Sequence, residues 1–245
     1  MLNFDPKNVN PRAIAAAASV IASHGDDRPM PGRGPMAMPM AMPGPPGQGM
    51  NRYREMTLEE MLLENRVVFL VGEINHVSAS RVIMQLFYLE NIKRDTIRLY
   101  INSPGGVVDD TLAIYDVMQY LGSEIETYCI GRAESGGAIV FMAGRKGKRF
   151  ILPNAKVMIH QPFGGVYGQA ADIEIQAEEI LKTKQTLINV MAKCTGQTPE
   201  RIQEDSERDR FFEAKAAVAY GICDEVLEDS ASPEAVAATD GNKPK

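Results

Sequence analysis

Three short stretches supply the groups that acyl-transfer chemistry needs. Ser103-Pro104-Gly105-Gly106 follows an apolar run and opens a helical pattern, so main-chain N–H groups freed at the glycines can face a developing negative charge. Gly131-Arg132-Ala133-Glu134-Ser135-Gly136-Gly137-Ala138 repeats the arrangement with a hydroxyl at its apex: a strand, a tight turn, then the apolar helical run Ala138 to Ala143. A serine on so sharp a turn exposes its oxygen and has the next residue's N–H close by. His160 ends a third apolar run, where Gln161-Pro162-Phe163-Gly164-Gly165 turns the chain, and Glu207-Arg208-Asp209-Arg210-Phe211 offers a carboxylate. The functional reading makes Ser135 the nucleophile, His160 the general base and Asp209 the group that orients the imidazole. Each piece also has a structural reading: glycine for a steric turn, Ser135 as a helix cap, His160 as an ordinary strand-end residue. His24, in the N-terminal stretch, and His76, in a loop, read as solvated bystanders.

Short β-rich runs carry these residues. Val67 to Gly72, Ile97 to Asn102, Ile125 to Gly131, Arg149 to Leu152 and Val157 to Ile159 are bounded by Gly, Pro or Asn and read as strands. Helical patterns alternate with them: Ser78 to Leu89, with Ser78 as candidate N-cap, and Val107 to Leu121, with Leu112, Tyr115 and Met118 at helical spacing. Such alternation predicts an α/β fold with right-handed crossovers, a largely parallel sheet, and functional loops at the carboxyl ends of its strands. A longer amphipathic helix spans Ala170 to Cys194, closed by Gly196, and reads equally as a surface helix or as an arm that packs on another subunit.

The chain has 245 residues, enough for a core that needs no disulfide or structural metal. Its net charge of −6 argues against binding nucleic acid by general phosphate attraction. Cys129, Cys194 and Cys223 lack any C-x-x-C spacing and read as buried, reduced thiols of a cytosolic protein, and no metal-ligand cluster is apparent. No apolar run is long enough to span a membrane; Ala13 to Ala22 has only the outline of a weak secretory segment. Residues 1–50 end in a Met/Pro/Gly-rich stretch that holds neither helix nor ladder and read as a disordered leader or propeptide. That leader is either a solvated arm or a Met-lined binding surface. Residues 51–228 form the folded domain, and the polar residues 229–245 read as a flexible tail.

Seven motifs together resemble the ClpP family, the proteolytic subunits of an ATP-dependent caseinolytic protease. They are INSPGG (Ile101 to Gly106), IYD.MQ (Ile114 to Gln119), YCIG (Tyr128 to Gly131), AGRKGKRF.LPN (Ala143 to Asn154), MIHQP.GG (Met158 to Gly165), GQA.DIEI (Gly168 to Ile175) and ERDRF (Glu207 to Phe211). The similarity runs from about Arg54 to Leu227 and leaves out the leader and the tail. It implies a ClpP/crotonase fold and a serine endopeptidase whose triad falls on Ser135, His160 and Asp209, with the N–H groups of Gly106 and Gly136 as oxyanion hole. It also implies two stacked heptameric rings, joined through the helix that Ala170 to Cys194 resembles, acting in the cytoplasm on unfolded proteins or peptides. ATP would be used by a separate AAA+ unfoldase and not by this chain, which lacks a G-x-x-x-x-G-K-[ST] loop and needs no cofactor.

The chain departs from the family at its elbow. Members usually carry A-A-S-M-G, whereas this sequence has Ala133-Glu134-Ser135-Gly136-Gly137. A carboxylate at Glu134 either repels the oxyanion and favours charged His160, or points into solvent and changes little. Asp109 and Asp110 also replace residues that are usually uncharged. The long leader implies either processing near residue 50 or a specialised paralogue. Two alternatives follow: a scaffold subunit with weak catalysis, and a crotonase-type enzyme acting on a coenzyme A thioester, which shares the fold but needs no triad.

Overall fold

Alternation of apolar and polar residues builds the sheet. Strands β1 (Val67–Val71), β2 (Ile97–Ser103) and the first half of β3 (Ile125–Glu134) bury every second side chain, which places Val68, Leu70, Leu99, Ile101 and Cys129 in one core. The computed structural model describes residues 56–228 other than Phe163 and Val166; the expected leader over 1–50, the start of the domain at 51–55 and the tail over 229–245 lie outside the described residues. Helix α1 (Leu58–Glu64) opens with a reciprocal cap between Thr57 and Glu60 and crosses the division between the chain's two units, which falls after Met61. The architecture that follows is that of the unit beginning at Leu62.

The fold is the expected mixed α/β type, with a mostly parallel sheet and interleaved helices. Helix α2 (His76–Ile92) joins β1 to β2, and α3 (Val108–Tyr120) joins β2 to β3. Among the described residues, five strands run in the order β1-β2-β3-β4-β7, where β4 is Arg149–Ile151 and β7 is Glu225–Val226; off this path, β5 (Lys156–Ile159) pairs in parallel with β3 and antiparallel with β6 (Arg210–Glu213). Helix α4 (Gly136–Met142) follows β3, and α5 (Ala170–Thr195), α6 (Pro199–Asp205) and α7 (Ala214–Tyr220) complete the chain.

The start of α2 and the end of β3 differ from the sequence reading. Helix α2 starts at His76 because Asn75 caps it: its Oδ1 accepts from the N–H groups of Val77 and Ser78 at 3.0 and 3.1 Å. Ser78, the expected cap, instead accepts from the Asn75 N–H at 3.0 Å, the reciprocal half of a capping box. Strand β3 runs past Gly131 to Glu134 because it bulges. Ile101 faces Cys129 and Ser103 faces Ala133, so β3 has two more residues than β2 between the same rungs. Asn102 Oδ1 accepts the Arg132 N–H at 3.3 Å within that bulge. One half of β3 then pairs with β4 and the other, Arg132 to Glu134, with β5.

The outer face of the sheet is aromatic. Phe69, Tyr100, Tyr128 and Phe150 stack across β1 to β4 with successive centroids 5.3, 4.6 and 5.0 Å apart, and Phe69 is 41% exposed. Helix α5 is 26 residues long, about 39 Å at 1.5 Å per residue. Its first half stands free: Ile175 and Leu181 are exposed, and burial begins only at Leu187. Gly196 ends it in the left-handed conformation, as its position predicts.

At the other end of β4, the buried Arg149 guanidinium donates from Nε and Nη2 to Asp224 at 2.8 and 2.6 Å. Burial alone raises the Asp224 carboxyl, but Arg149's hydrogen bonds and charge, with the N–H groups of Arg149 and Gly147, outweigh it and hold the group below the usual carboxylate range. A lowered folded pKa gives stability above the ordinary carboxylate pKa that is lost as pH falls through the folded value. Asp224→Ala leaves a buried, unpaired guanidinium, and is expected to cost about 3 kcal/mol or more. Thermal unfolding at pH 7 and in mild acid checks both: the gap between wild type and variant should narrow as Asp224 protonates.

Candidate active site

The nucleophile position is built by the ladder between β3 and β5. Glu134 pairs with Met158, and the next N–H, that of Ser135, donates to the Met158 carbonyl at 2.8 Å. Ser135 takes φ 54° and ψ −121°, a conformation rare for a residue with a side chain. Such strain costs about 1 to 3 kcal/mol and persists because the strand on one side and α4 on the other fix it. Its hydroxyl makes no cap to α4 and points away toward His160. The capping alternative therefore fails.

His160 and Asp209 are brought together by the antiparallel pairing of β5 and β6. Met158 faces Phe211 and Ile159 faces Arg210, so continuing the register by one residue sets His160 opposite Asp209. His160 Nδ1 lies 3.1 Å from Asp209 Oδ1, and its Nε2 lies 2.8 Å from Ser135 Oγ. Beyond the strand the chain is clipped again: the Gln161 N–H donates to Ser206 O at 2.6 Å and Gln161 Nε2 to Glu207 O at 3.0 Å. Arg210, next to Asp209, is held by the buried Asp205, which also accepts from Arg201 Nε at 2.7 Å and from the Tyr220 hydroxyl at 2.8 Å. These anchors come from α6 and α7, which the sequence reading did not identify.

The two glycines expected at the oxyanion position both border the cleft. Gly106 has φ +156°, and an added Cβ would overlap the Ile74 carbonyl, with which the loop forms an isolated bridge. Val107 N–H and the Ile74 carbonyl, and Ile74 N–H and the Gly105 carbonyl, make that bridge at 2.8 Å each. The N–H of Gly106 lies between them and, like that of Gly136 at the start of α4, has no acceptor among the described residues. Both line a cleft of about 250 Å³ with Ser135, His160, Ile139 and Met158. Leu187 and Met191 of α5 close its far side.

Glu134 follows neither branch of the expectation. Its side chain is 12% exposed, and its oxygens lie 3.4 Å from Arg132 Nη1 and 3.8 Å from Lys156 Nζ. Two cations on β3 and β5 thus hold the carboxylate, and His160 finds its carboxylate partner in Asp209 instead. Asp109 and Asp110 sit in the first turn of α3, where the helix dipole favours acids, and Asp110 lies 3.8 Å from the exposed His76. Burial pushes the Cys129 and Cys223 thiols up to about 12 and also raises that of Cys194, so none is a thiolate nucleophile at neutral pH. Among the described residues no group of three or more His, Cys, Asp or Glu side chains is placed to hold a metal ion, and no helix is long and apolar enough to cross a membrane.

Comparison with known proteins gives the same answer as the motifs. An ATP-dependent Clp protease proteolytic subunit 1 from Rhodopirellula baltica is 50% identical over 182 residues, which cover 74% of this chain and 80% of the relative. A family model described as Clp protease matches residues 49–230, a span that holds every strand, the Ser135 turn, His160 and Asp209, and the chain belongs to the Clp protease family.

Proposed function

We propose that this chain is the proteolytic subunit of an ATP-dependent Clp protease, a serine endopeptidase that hydrolyses peptide bonds of unfolded proteins in the cytoplasm. The observation that carries the reading is the unbroken relay from Ser135 Oγ through His160 to Asp209, at 2.8 and 3.1 Å. His160 Nε2 takes the Ser135 proton as the hydroxyl oxygen attacks the substrate carbonyl carbon. Asp209 keeps the other ring nitrogen protonated and stabilises the imidazolium. The N–H groups of Gly106 and Gly136 then face the oxyanion, a role in which one donor is worth about a hundredfold or more in rate. The imidazolium gives its proton to the leaving amine, and water, deprotonated by the same ring, releases the acid from the acyl-enzyme.

ATP enters through a partner. A separate AAA+ unfoldase would deliver substrate, and the chain's own residues carry out hydrolysis with no cofactor. Assembly into two stacked heptameric rings, of one subunit type or of mixed subunits, is supported by the apolar residues of α5 that stay exposed among the described residues. The half-open aromatic face of a parallel sheet, normally covered, is a second surface left for a partner. A crippled scaffold subunit is less well supported, because Arg132 and Lys156 hold Glu134. A thioester enzyme would have no use for the relay.

A serine-reactive fluorophosphonate tests the proposal. Mass spectrometry of the labelled full chain should place the adduct on Ser135, and His160→Ala should abolish labelling. A ring-assembled protein that takes no label would overturn the reading.

A further inference from the structure

Glycine at position 136 has no backbone explanation. Unlike Gly106, Gly136 lies outside the left-handed region, in the first turn of a helix, where any residue is accommodated. What excludes a side chain is a neighbour: an added Cβ would collide with Thr111 Oγ1 and come within 3.2 Å of its Cγ2 and 3.3 Å of its Cβ. Thr111 cannot easily move aside. It is 1% exposed, and its hydroxyl donates to the Val107 carbonyl at 2.9 Å, tying the side chain back onto the first turn of α3. Thr111 also lines the cleft beside Ser135, together with Val108, Ile139 and Met158.

We propose that Thr111 is a specificity-determining residue: it fills, from α3, the room that a side chain following the nucleophile would take from α4, and so fixes the width of the subsite for the substrate residue on the acyl side of the scissile bond. The inference rests on the serine-peptidase reading above. Beside Thr111 the cleft is lined by Val108, Ile139, Met158 and Leu187, so the side chain accepted there is apolar, and its size limit is set by the Thr111 side chain. Because the residues at 111 and 136 compete for one volume, they are constrained as a pair. A side chain at 136 would need Thr111 to give way, and glycine there spares the helix start that carries the oxyanion N–H from that collision.

The test uses the full-length chain and a peptide series that varies only the residue before the scissile bond, from Ala through Leu to Phe, with fluorophosphonate labelling of each protein in parallel. Thr111→Ala, which suits a helix and removes both branch atoms, should raise the ratio of kcat/KM for Phe over Ala by about tenfold or more, since one or two methylenes of fit are worth that much. Thr111→Ser, which keeps the hydrogen bond to Val107, should shift the ratio the same way by less. Gly136→Ala alone should lower kcat/KM for every peptide by about tenfold or more, and Thr111→Ala in the same chain should recover most of the loss. An unchanged Phe-to-Ala ratio in a labelled Thr111→Ala protein, or a Gly136→Ala loss that Thr111→Ala does not relieve, overturns the proposal and leaves the peptidase reading standing. A wild type that neither labels nor cleaves overturns both.

Discussion

Ser135→Ala is expected to lower kcat for an unstructured peptide by about ten-thousandfold or more, and His160→Ala to lower it by a similar factor. The effects do not add: with either group gone the relay has nothing to pass, so the double variant is no slower than the worse single one. Stability should barely respond. Among the described residues Ser135 Oγ bonds to His160 Nε2 alone and makes no cap to α4, and alanine inherits the same backbone strain as serine at φ 54°. Initial rates and thermal unfolding of both variants, measured on assembled protein, check the two halves together. Residual activity within tenfold of wild type would mean that another group attacks the carbonyl. A large fall in unfolding temperature would mean that the hydroxyl supports the fold.

The fragments of the site were legible along the chain, whereas the contacts between them were not. Local chemistry made Ser135 readable, because a strand, a serine and two glycines before an apolar helix describe a sharp turn wherever they occur. His160 was readable as the last residue of an apolar run. The meeting of His160 with Asp209 depends on β6, a four-residue strand with one buried position, and on its register against β5. Nothing in so short a run distinguishes a strand from a loop, and pairing between positions 49 residues apart is a tertiary fact. The need for a carboxylate singled out Asp209, and the family motif ERDRF falls on the same residue, whereas periodicity said nothing of it.

Other differences have similarly specific causes. The strand β3 was cut short at Gly131 because glycine and arginine read as a turn, but the Asn102 side chain accepts the Arg132 N–H across the bulge and the ladder resumes. Glu134 looked hazardous beside a nucleophile, and its effect turned on Lys156, whose place on the next strand no local pattern announces. Thr111 gave no signal at all. As one residue of an amphipathic helix it reads as packing, and its bearing on Gly136 exists only once α3 and α4 lie side by side. The long helix was legible in extent and ambiguous in purpose, because exposed apolar residues on its first half are a matter of what lies outside it rather than of its own pattern.

Asp209→Asn is expected to lower kcat by about a hundredfold to a thousandfold, short of the loss at Ser135. The carboxylate accepts from His160 Nδ1–H at 3.1 Å, which leaves Nε2 unprotonated and able to take the Ser135 proton. An asparagine that donates its amide N–H to Nδ1 selects the opposite tautomer, with the proton on Nε2 and no base facing the hydroxyl. Where such a carboxylate is buried, that change costs about ten-thousandfold. Asp209 is 61% exposed, so an asparagine here is free to turn its carbonyl toward Nδ1 part of the time, and water competes for the same nitrogen. The clamp of Asp205 on Arg210 keeps the backbone in register in the variant, so KM should change little while kcat falls. Steady-state kinetics with one peptide separate these terms. A loss carried by KM would place Asp209 in substrate binding, and a loss below tenfold would mean that the imidazole is oriented by something other than this carboxylate.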